Sequence, residues 1–367
     1  MGGFFVQITI NIENSTVNIY TTADAKLQAG NSIRPEAGRI DTEFAEDTRL
    51  DDRVKGKRQP WREKKTKSLK VVDALHELGQ GKKANRMWWC GAELAYQDGK
   101  LLSAGFCRDR VCVMCNWRRS IKTFYQLSRV LDIAQDDNPN LETVFLTLAV
   151  RNPSGPDLAA TLDTMFKGWA KMTEHRRFRN AIVGYFRALE VTYNQATDTY
   201  HPHFHVMLVV ERKYFHHGEK LYLSQADWVH MWRVSCNLNY DPTAHIQATK
   251  TNKERKYKAV AEVAKYTVKD ADYVHADPAL TVRVVGVLSV VLKNRRLFAF
   301  GGNLKVIAKR LGADKPDEGD LVNIDESKAV IRADVANAIT VYKWDMGLMD
   351  YFRDDTWRKE YDLARSG

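Results

Sequence analysis

Two periods organise the chain: alternation of apolar and polar side chains marks strands, and a repeat every three to four residues marks helices. Near the start Val6, Ile8, Ile10 and Ile12 alternate with Gln7, Thr9 and Asn11, which predicts a strand and a hairpin continuing to Tyr20. TVFLTLAVRN (143–152) predicts a buried strand. Leu158, Leu162, Met165, Phe166, Trp169 and Met172 recur at helical spacing and predict an amphipathic helix whose stripe is core. RALEVTYN (187–194) and YHPHFHVMLVV (200–210) read as two strands joined by QATDT, a β-hairpin. In SQADWVHMW, Ser224 and Asp227 make a capping box ahead of Trp228, Met231 and Trp232. AHIQATK (244–250) predicts a short strand and KYKAVAEVAKYTVKDADY (256–273) a helix. From about residue 278 come an apolar run, VRVVGVLSVVL, the basic NRRLFAFGGNLKVIAKRLG and a polar tail with Trp344 and Trp357. Strands and helices do not alternate as parallel βαβ units would, so the fold class is α+β around an antiparallel sheet.

Composition narrows the partners. The 367 residues can bury one catalytic domain with smaller appendages, and 44% hydrophobic residues is a globular content. The net charge of +10 favours a polyanion, because neutralised phosphates release counterions. No run reaches the roughly 18 apolar residues of a membrane span, and the start lacks the basic segment of a signal peptide. Five cysteines without a secretion signal point to a reducing, cytoplasmic compartment and to metal rather than disulfides.

The histidines of HPHFHVML carry the sharpest chemistry. His201, His203 and His205 occupy alternate positions of a strand and share one face, with Phe204 on the other. Pro202 has no N–H and belongs at a strand start or edge, so the cluster is expected where the sheet opens to a groove. If Asn194 and Tyr200 flank the turn, Glu190 falls opposite residues 203–205. It shares their face if its partner is 203 or 205, and a one-residue slip would turn it away. His203, His205 and Glu190, with His201 as a further candidate, would leave coordination positions open on Mg²⁺ or Mn²⁺ for phosphate oxygens.

At about 100° per residue, Glu262, Tyr266, Lys269 and Tyr273 fall on one face of the predicted 256–273 helix, opposite Val260, Val263 and Ala264. Beside a metal-bound phosphate, Tyr266 could attack phosphorus while Lys269 stabilises the developing charge. Glu262 could activate water for a final step. Cys90, Cys107, Cys112 and Cys115 could close a tetrahedral zinc site that holds the basic NWRRS segment, with Arg118 and Arg119, for DNA contact. Cys236 reads as core. The basic KGKRQPWREKKTKSLK is either a solvated arm or a phosphate contact through Lys64, Lys65 and Lys67.

FLTLAVRN, HPHFHVMLVV and AEVAKYTVKDADY, in that order, closely resemble the three motifs of single-tyrosine rolling-circle plasmid replication initiators, of the HUH endonuclease superfamily. The likeness runs through CRDRVCVMCNWRRS and covers roughly residues 85–312. It implies a ferredoxin-like antiparallel sheet with flanking helices, the two-histidine motif on a central strand, and metal-dependent nicking at a plasmid double-strand origin. His203 and His205 match the metal histidines, Tyr266 the nucleophile and Glu262 the glutamate of hydrolytic termination. Two-tyrosine relatives space their tyrosines four apart; Tyr266 and Tyr273 are seven apart, so Tyr273 is read as structural. The expected layout is an N-terminal extension, partly disordered (1–54), a basic segment (55–84), a zinc module (85–125), a nicking domain (140–277) and a C-terminal region for origin binding or oligomerisation (278–367). Origin DNA, a host helicase and replication machinery are the expected partners, with room for a homo-oligomer. The rival readings are a relaxase or transposase of the same superfamily, and a non-catalytic zinc-dependent DNA-binding regulator.

Overall fold

The computed structural model describes residues 48–54, 56–216, 221–249, 260–264, 269–315, 320–322, 324 and 339–355, with the backbone of two strands near the start. Those strands, β1 (Gln7–Asn11) and β2 (Thr16–Tyr20), pair antiparallel as their alternation predicts. Residues 1–6, 12–15 and 21–47 of the expected N-terminal extension lie outside the described residues.

Along the chain follow β3 (Arg53–Val54), β4 (Lys57–Arg58), α1 (Trp61–Glu77), α2 (Gly81–Trp88), β5 (Glu93–Gln97), β6 (Lys100–Ala104) and α3 (Val113–Asp137). Then come β7 (Leu141–Ala149), α4 (Leu158–Glu174), α5 (Arg176–Ala181), β8 (Gly184–Asn194), β9 (Thr199–Glu211), α6 (Gln225–Cys236) and β10 (Ala244–Thr249). The last are α7 (Pro278–Val291), β11 (Phe298–Gly302), α8 (Asn303–Arg310), β12 (Ile339–Asp345) and β13 (Asp350–Arg353). All sheet pairings are antiparallel, which gives the α+β class. Among the described residues no helix is long and apolar enough to cross a membrane.

The described residues form two compact units that interleave in sequence. One takes residues up to Arg118, Ala276–Gly286 and those from Asp320 on; the other takes Arg119–His275 and those from Val287 up to 315. Segments 85–125, 140–277 and 278–367 therefore do not map one-to-one onto units.

In the first unit the sheet order is β13-β12-β5-β6. Every residue of β5 is buried, and Trp61 of α1 meets Trp117 and Tyr351 edge-on at 4.7 and 6.4 Å. Gly91 turns the chain after Cys90 at φ 61°; a Cβ there would stand 2.6 Å from Met114 Cε.

In the second unit the order is β10-β7-β9-β8-β11, with β9 in the centre. One face carries Leu146, Leu148, Leu189, Phe204, Val206 and Leu208, all buried. Phe166 and Trp169 of α4 and Trp232 of α6 meet Phe204 at 5.4, 6.1 and 6.0 Å, so both helices cover that face. Burying one such aromatic contributes about 2–3 kcal/mol. The capping box of α6 is present: Asp227 N–H donates to Ser224 Oγ and Ser224 N–H to Asp227 Oδ2. Cys236 is buried at its end, as core. The opposite face carries Glu190, His203 and His205 beside the buried Phe186, Ala188, Met207 and Val209.

Candidate active site and metal centres

The β8–β9 hairpin sets the register of the first cluster. Asn194 pairs with Thr199, one residue tighter than the sequence suggests, and Glu190 falls opposite His203. Cross-strand partners share a face, so the carboxylate joins both imidazoles. Pairing of β7 with β9 ends at Ala149–His203, which leaves Pro202 at the edge of that ladder. His203 Nε2 and His205 Nε2 are 3.0 Å apart, and Glu190 Oε2 lies 2.9 Å from His205 and 3.4 Å from His203. His201 stands outside this trio, half-buried, its ring 4.8 Å from that of His203. Burial and the neighbouring His203 push its pKa down.

The remaining ring nitrogens fix which atoms face inward. His203 Nδ1 lies 3.1 Å from the His201 carbonyl, an acceptor only, so Nδ1 carries the proton. His205 Nδ1 meets the Thr147 hydroxyl at 3.2 Å, which can accept in the same way. Both Nε2 atoms then converge on one point beside the Glu190 carboxylate, where the set can share a proton or hold a cation. Donors about 2.1 Å from one ion and at right angles stand about 3.0 Å apart, close to the spacing here. The cluster fits one face of an octahedral cation with the opposite positions free. The sequence did not single out Thr147, although it lies on the buried strand TVFLTLAVRN that pairs with the histidine strand.

Burial pushes the Glu190 carboxyl up, but hydrogen bonds from His203, His205 and Lys269 outweigh it and hold the group well below the usual carboxylate range. Lys269 Nζ lies 2.6 Å from Glu190 Oε1. Burial lowers the lysine while Glu190 raises it, and the net shift is upward. The predicted 256–273 helix is corrected here. Residues 260–263 are helical, but Lys269 is extended (φ −71°, ψ 142°) and Asp270–Asp272 form a 3₁₀ turn. Lys269 reaches Glu190 from this extended position, and Tyr273 is fully buried, a structural residue. Glu262 is half-buried, and its charge helps raise Lys269. Tyr266 lies outside the described residues. Asp272, which the sequence did not mark, is pushed up to about 6 by burial.

The four cysteines converge in the first unit, all buried. Cys90 Sγ is 3.4 Å from Cys115 and 3.5 Å from Cys112, and Cys107 is 3.7 Å from Cys115. Sulfurs bound tetrahedrally at about 2.3 Å stand about 3.8 Å apart, so the set fits zinc with slight expansion. Backbone N–H groups of Cys107 and Arg108 point at Cys90 and Cys115 sulfurs at 3.4 and 3.1 Å. Burial pushes the thiols of Cys90, Cys107 and Cys115 up. It pushes Cys112 up too, but hydrogen bonds from the other three outweigh it there and favour the thiolate.

Lys65 is corrected from a DNA contact to an interior cation. It is fully buried and donates to the carbonyls of Trp88 and of Cys90, the latter at 2.9 Å. Burial lowers it to about 8 despite the neighbouring sulfurs, which raise it. Arg118 is likewise buried: it donates to the Leu321 and Val322 carbonyls at 2.9 and 2.8 Å and lies over Trp61. Arg119 is 3% exposed. Lys64 is largely covered, and Lys67 pairs with Glu63 at 2.7 Å. None of Lys65, Arg118 and Arg119 offers a free cation to a phosphate.

A family model described as Replication protein matches residues 98–352. Protein rep of Lactiplantibacillus plantarum is 34% identical over 81% of this chain and 96% of its own length. Protein rep of Bacillus amyloliquefaciens is 34% identical over 82% and 96%, and that of Streptococcus pneumoniae serotype 2 is 36% identical over 74% and 86%. No solved structure matches the chain. The chain belongs to the Replication protein family, and the resemblance to rolling-circle plasmid initiators read from its three motifs holds.

Proposed function

We propose that the chain initiates plasmid replication by nicking one DNA strand at the double-strand origin, and that the β10-β7-β9-β8-β11 sheet is an HUH nicking domain. The convergence of Glu190, His203 and His205 on the central strand and its neighbour carries this reading. These three side chains would hold Mg²⁺ or Mn²⁺, which supplies charge to polarise a phosphate oxygen. Tyr266 Oη forms a bond to phosphorus as the P–O3′ bond breaks; the phenolic proton is lost and the departing 3′ oxygen gains one. A 3′-OH primer and a 5′-phosphotyrosyl enzyme result, and the ester keeps the bond energy for rejoining. Lys269, one hydrogen bond from the cluster, stabilises charge on phosphate or phenolate. Glu262 activates water in termination. Cys90, Cys107, Cys112 and Cys115 would hold zinc in a structural role. The compartment is the bacterial cytoplasm, where origin DNA and a host helicase are met.

Incubation with Mn²⁺ and a single-stranded origin oligonucleotide tests the reading. A covalent adduct is expected with the wild type and none with Tyr266→Phe; an adduct that survives the substitution sinks the assignment. No adduct in either would leave a zinc-dependent DNA-binding regulator. Glu262→Ala should nick normally and release less hydrolysed product, and equal loss of both would remove it from termination.

A further inference from the structure

Arg151 and Tyr240 make a pair to which the proposed chemistry gives no task. The Arg151 guanidinium carbon lies 3.9 Å from the Tyr240 ring centroid, and Arg151 N–H donates to the Tyr240 hydroxyl at 3.0 Å. The backbone contact ties the two residues together, and the short distance puts the guanidinium over the ring. Several other arginines of this unit end on carboxylates, Arg177 on Asp227, Arg233 on Asp241 and Arg310 on Asp137, while Arg187 and Arg296 end on backbone carbonyls. Arg151 is exposed and, among the described residues, meets no carboxylate. A guanidinium stacked this way keeps its fork of N–H donors and its second face open.

Its place is fixed by the backbone. Ala149 is opposite His203, and Tyr200 N–H donates to the Pro153 carbonyl at 2.9 Å, so residues 150–152 run beside His201 and Pro202. Ala149 N–H donates to the Thr243 carbonyl at 2.9 Å, which brings the segment carrying Tyr240 to the same end of β7. At about 3.3 Å per residue, Arg151 is roughly 7 Å along the strand direction from the His203 row. That is on the order of one nucleotide.

We propose that Arg151 and Tyr240 form a single-stranded DNA subsite that seats the nucleotide flanking the phosphate at the Glu190–His203–His205 cluster. The guanidinium fork bonds a backbone phosphate, and the stacked pair gives a platform for a base. This rests on the nicking reading for its location but not for its contacts.

Fluorescence anisotropy of the full chain with a labelled oligothymidylate of roughly twenty nucleotides, without added Mn²⁺ or Mg²⁺, tests it. Arg151→Ala should weaken binding about tenfold and reduce the log–log salt slope by about 0.7. Arg151→Lys should recover the slope without the full affinity. Tyr240→Ala should cost several-fold, and the double variant no more than the larger single loss. Arg151→Ala binding like the wild type at every salt concentration overturns the subsite, and fully additive losses overturn the pair. Arg151-dependent binding by a wild type that forms no Mn²⁺-dependent adduct would sink the nicking reading alone. An adduct with Arg151-independent binding would sink the subsite alone.

Discussion

The two clusters are assembled from opposite materials. Four sulfurs, 8% exposed or less by residue, surround one point in the first unit and leave no room for a further donor. In the second unit one carboxylate and two imidazoles make a set of three donors, fewer than a six-coordinate ion takes, with His205 half-buried. Soft donors in a closed shell suit structural zinc; mixed donors in an open shell suit a hard cation that must also meet substrate. Their counter-charges differ in the same sense. Lys65 is held by two carbonyls and fully buried, whereas the Lys269 side chain is 40% exposed and paired with Glu190 at 2.6 Å.

That contrast can be broken in graded steps. Cys112→Ser should cost the first unit more than about 5 kcal/mol, because structural zinc binding is folding free energy. Hydrogen exchange would show β5 unprotected while β9 keeps its protection; equal loss in both would end the distinction. Lys65→Met should cost about 3 kcal/mol in denaturant unfolding, since two buried carbonyls lose their donor and the sulfurs their cation. His205→Ala should instead leave stability within about 1 kcal/mol and lower Mn²⁺ affinity at least a hundredfold by calorimetry. Thr147→Val removes the partner of His205 Nδ1 and should weaken Mn²⁺ about tenfold.

The smallest effect is a pH dependence. Burial raises Asp272 to about 6 from 3.8, so between those values the folded protein holds a proton that the unfolded chain has lost. Its contribution therefore falls as pH rises through that window. Asp272→Asn should gain about 1 kcal/mol at pH 7 after screening and nothing near pH 4. Glu190 has the opposite sign: its depressed pKa contributes stability above the ordinary carboxylate range, lost as the pH falls below it. Unfolding midpoints of Asp272→Asn and Glu190→Gln across pH would separate the two carboxylates.

The histidine hairpin was legible because a strand period of two leaves little freedom once a short turn sets the register. Glu190 opposite His203 follows from that turn. Lys65 was misread because a charge run was treated as facing water. It lies on the same face of α1 as Trp61, Ser68, Leu69, Val72 and Leu75, all buried, and that spacing was visible. The extended Lys269 was not visible, since local periodicity carries no sign of its long-range pairing with a carboxylate on β8. Nor could it show β11 pairing with β8, or β12 with β5, across long stretches of chain.

Glu190 and His205 are 15 residues apart on the two arms of one hairpin, and Tyr193 Oη bonds Asp198 at 2.7 Å across its turn. Closing so short a loop costs little chain entropy, and hairpins zip within about 1–10 μs. The three donors therefore need no distant contact to meet. The site is a local cassette carried by one hairpin, whereas β10 and β11 join the sheet's edges from further along the chain.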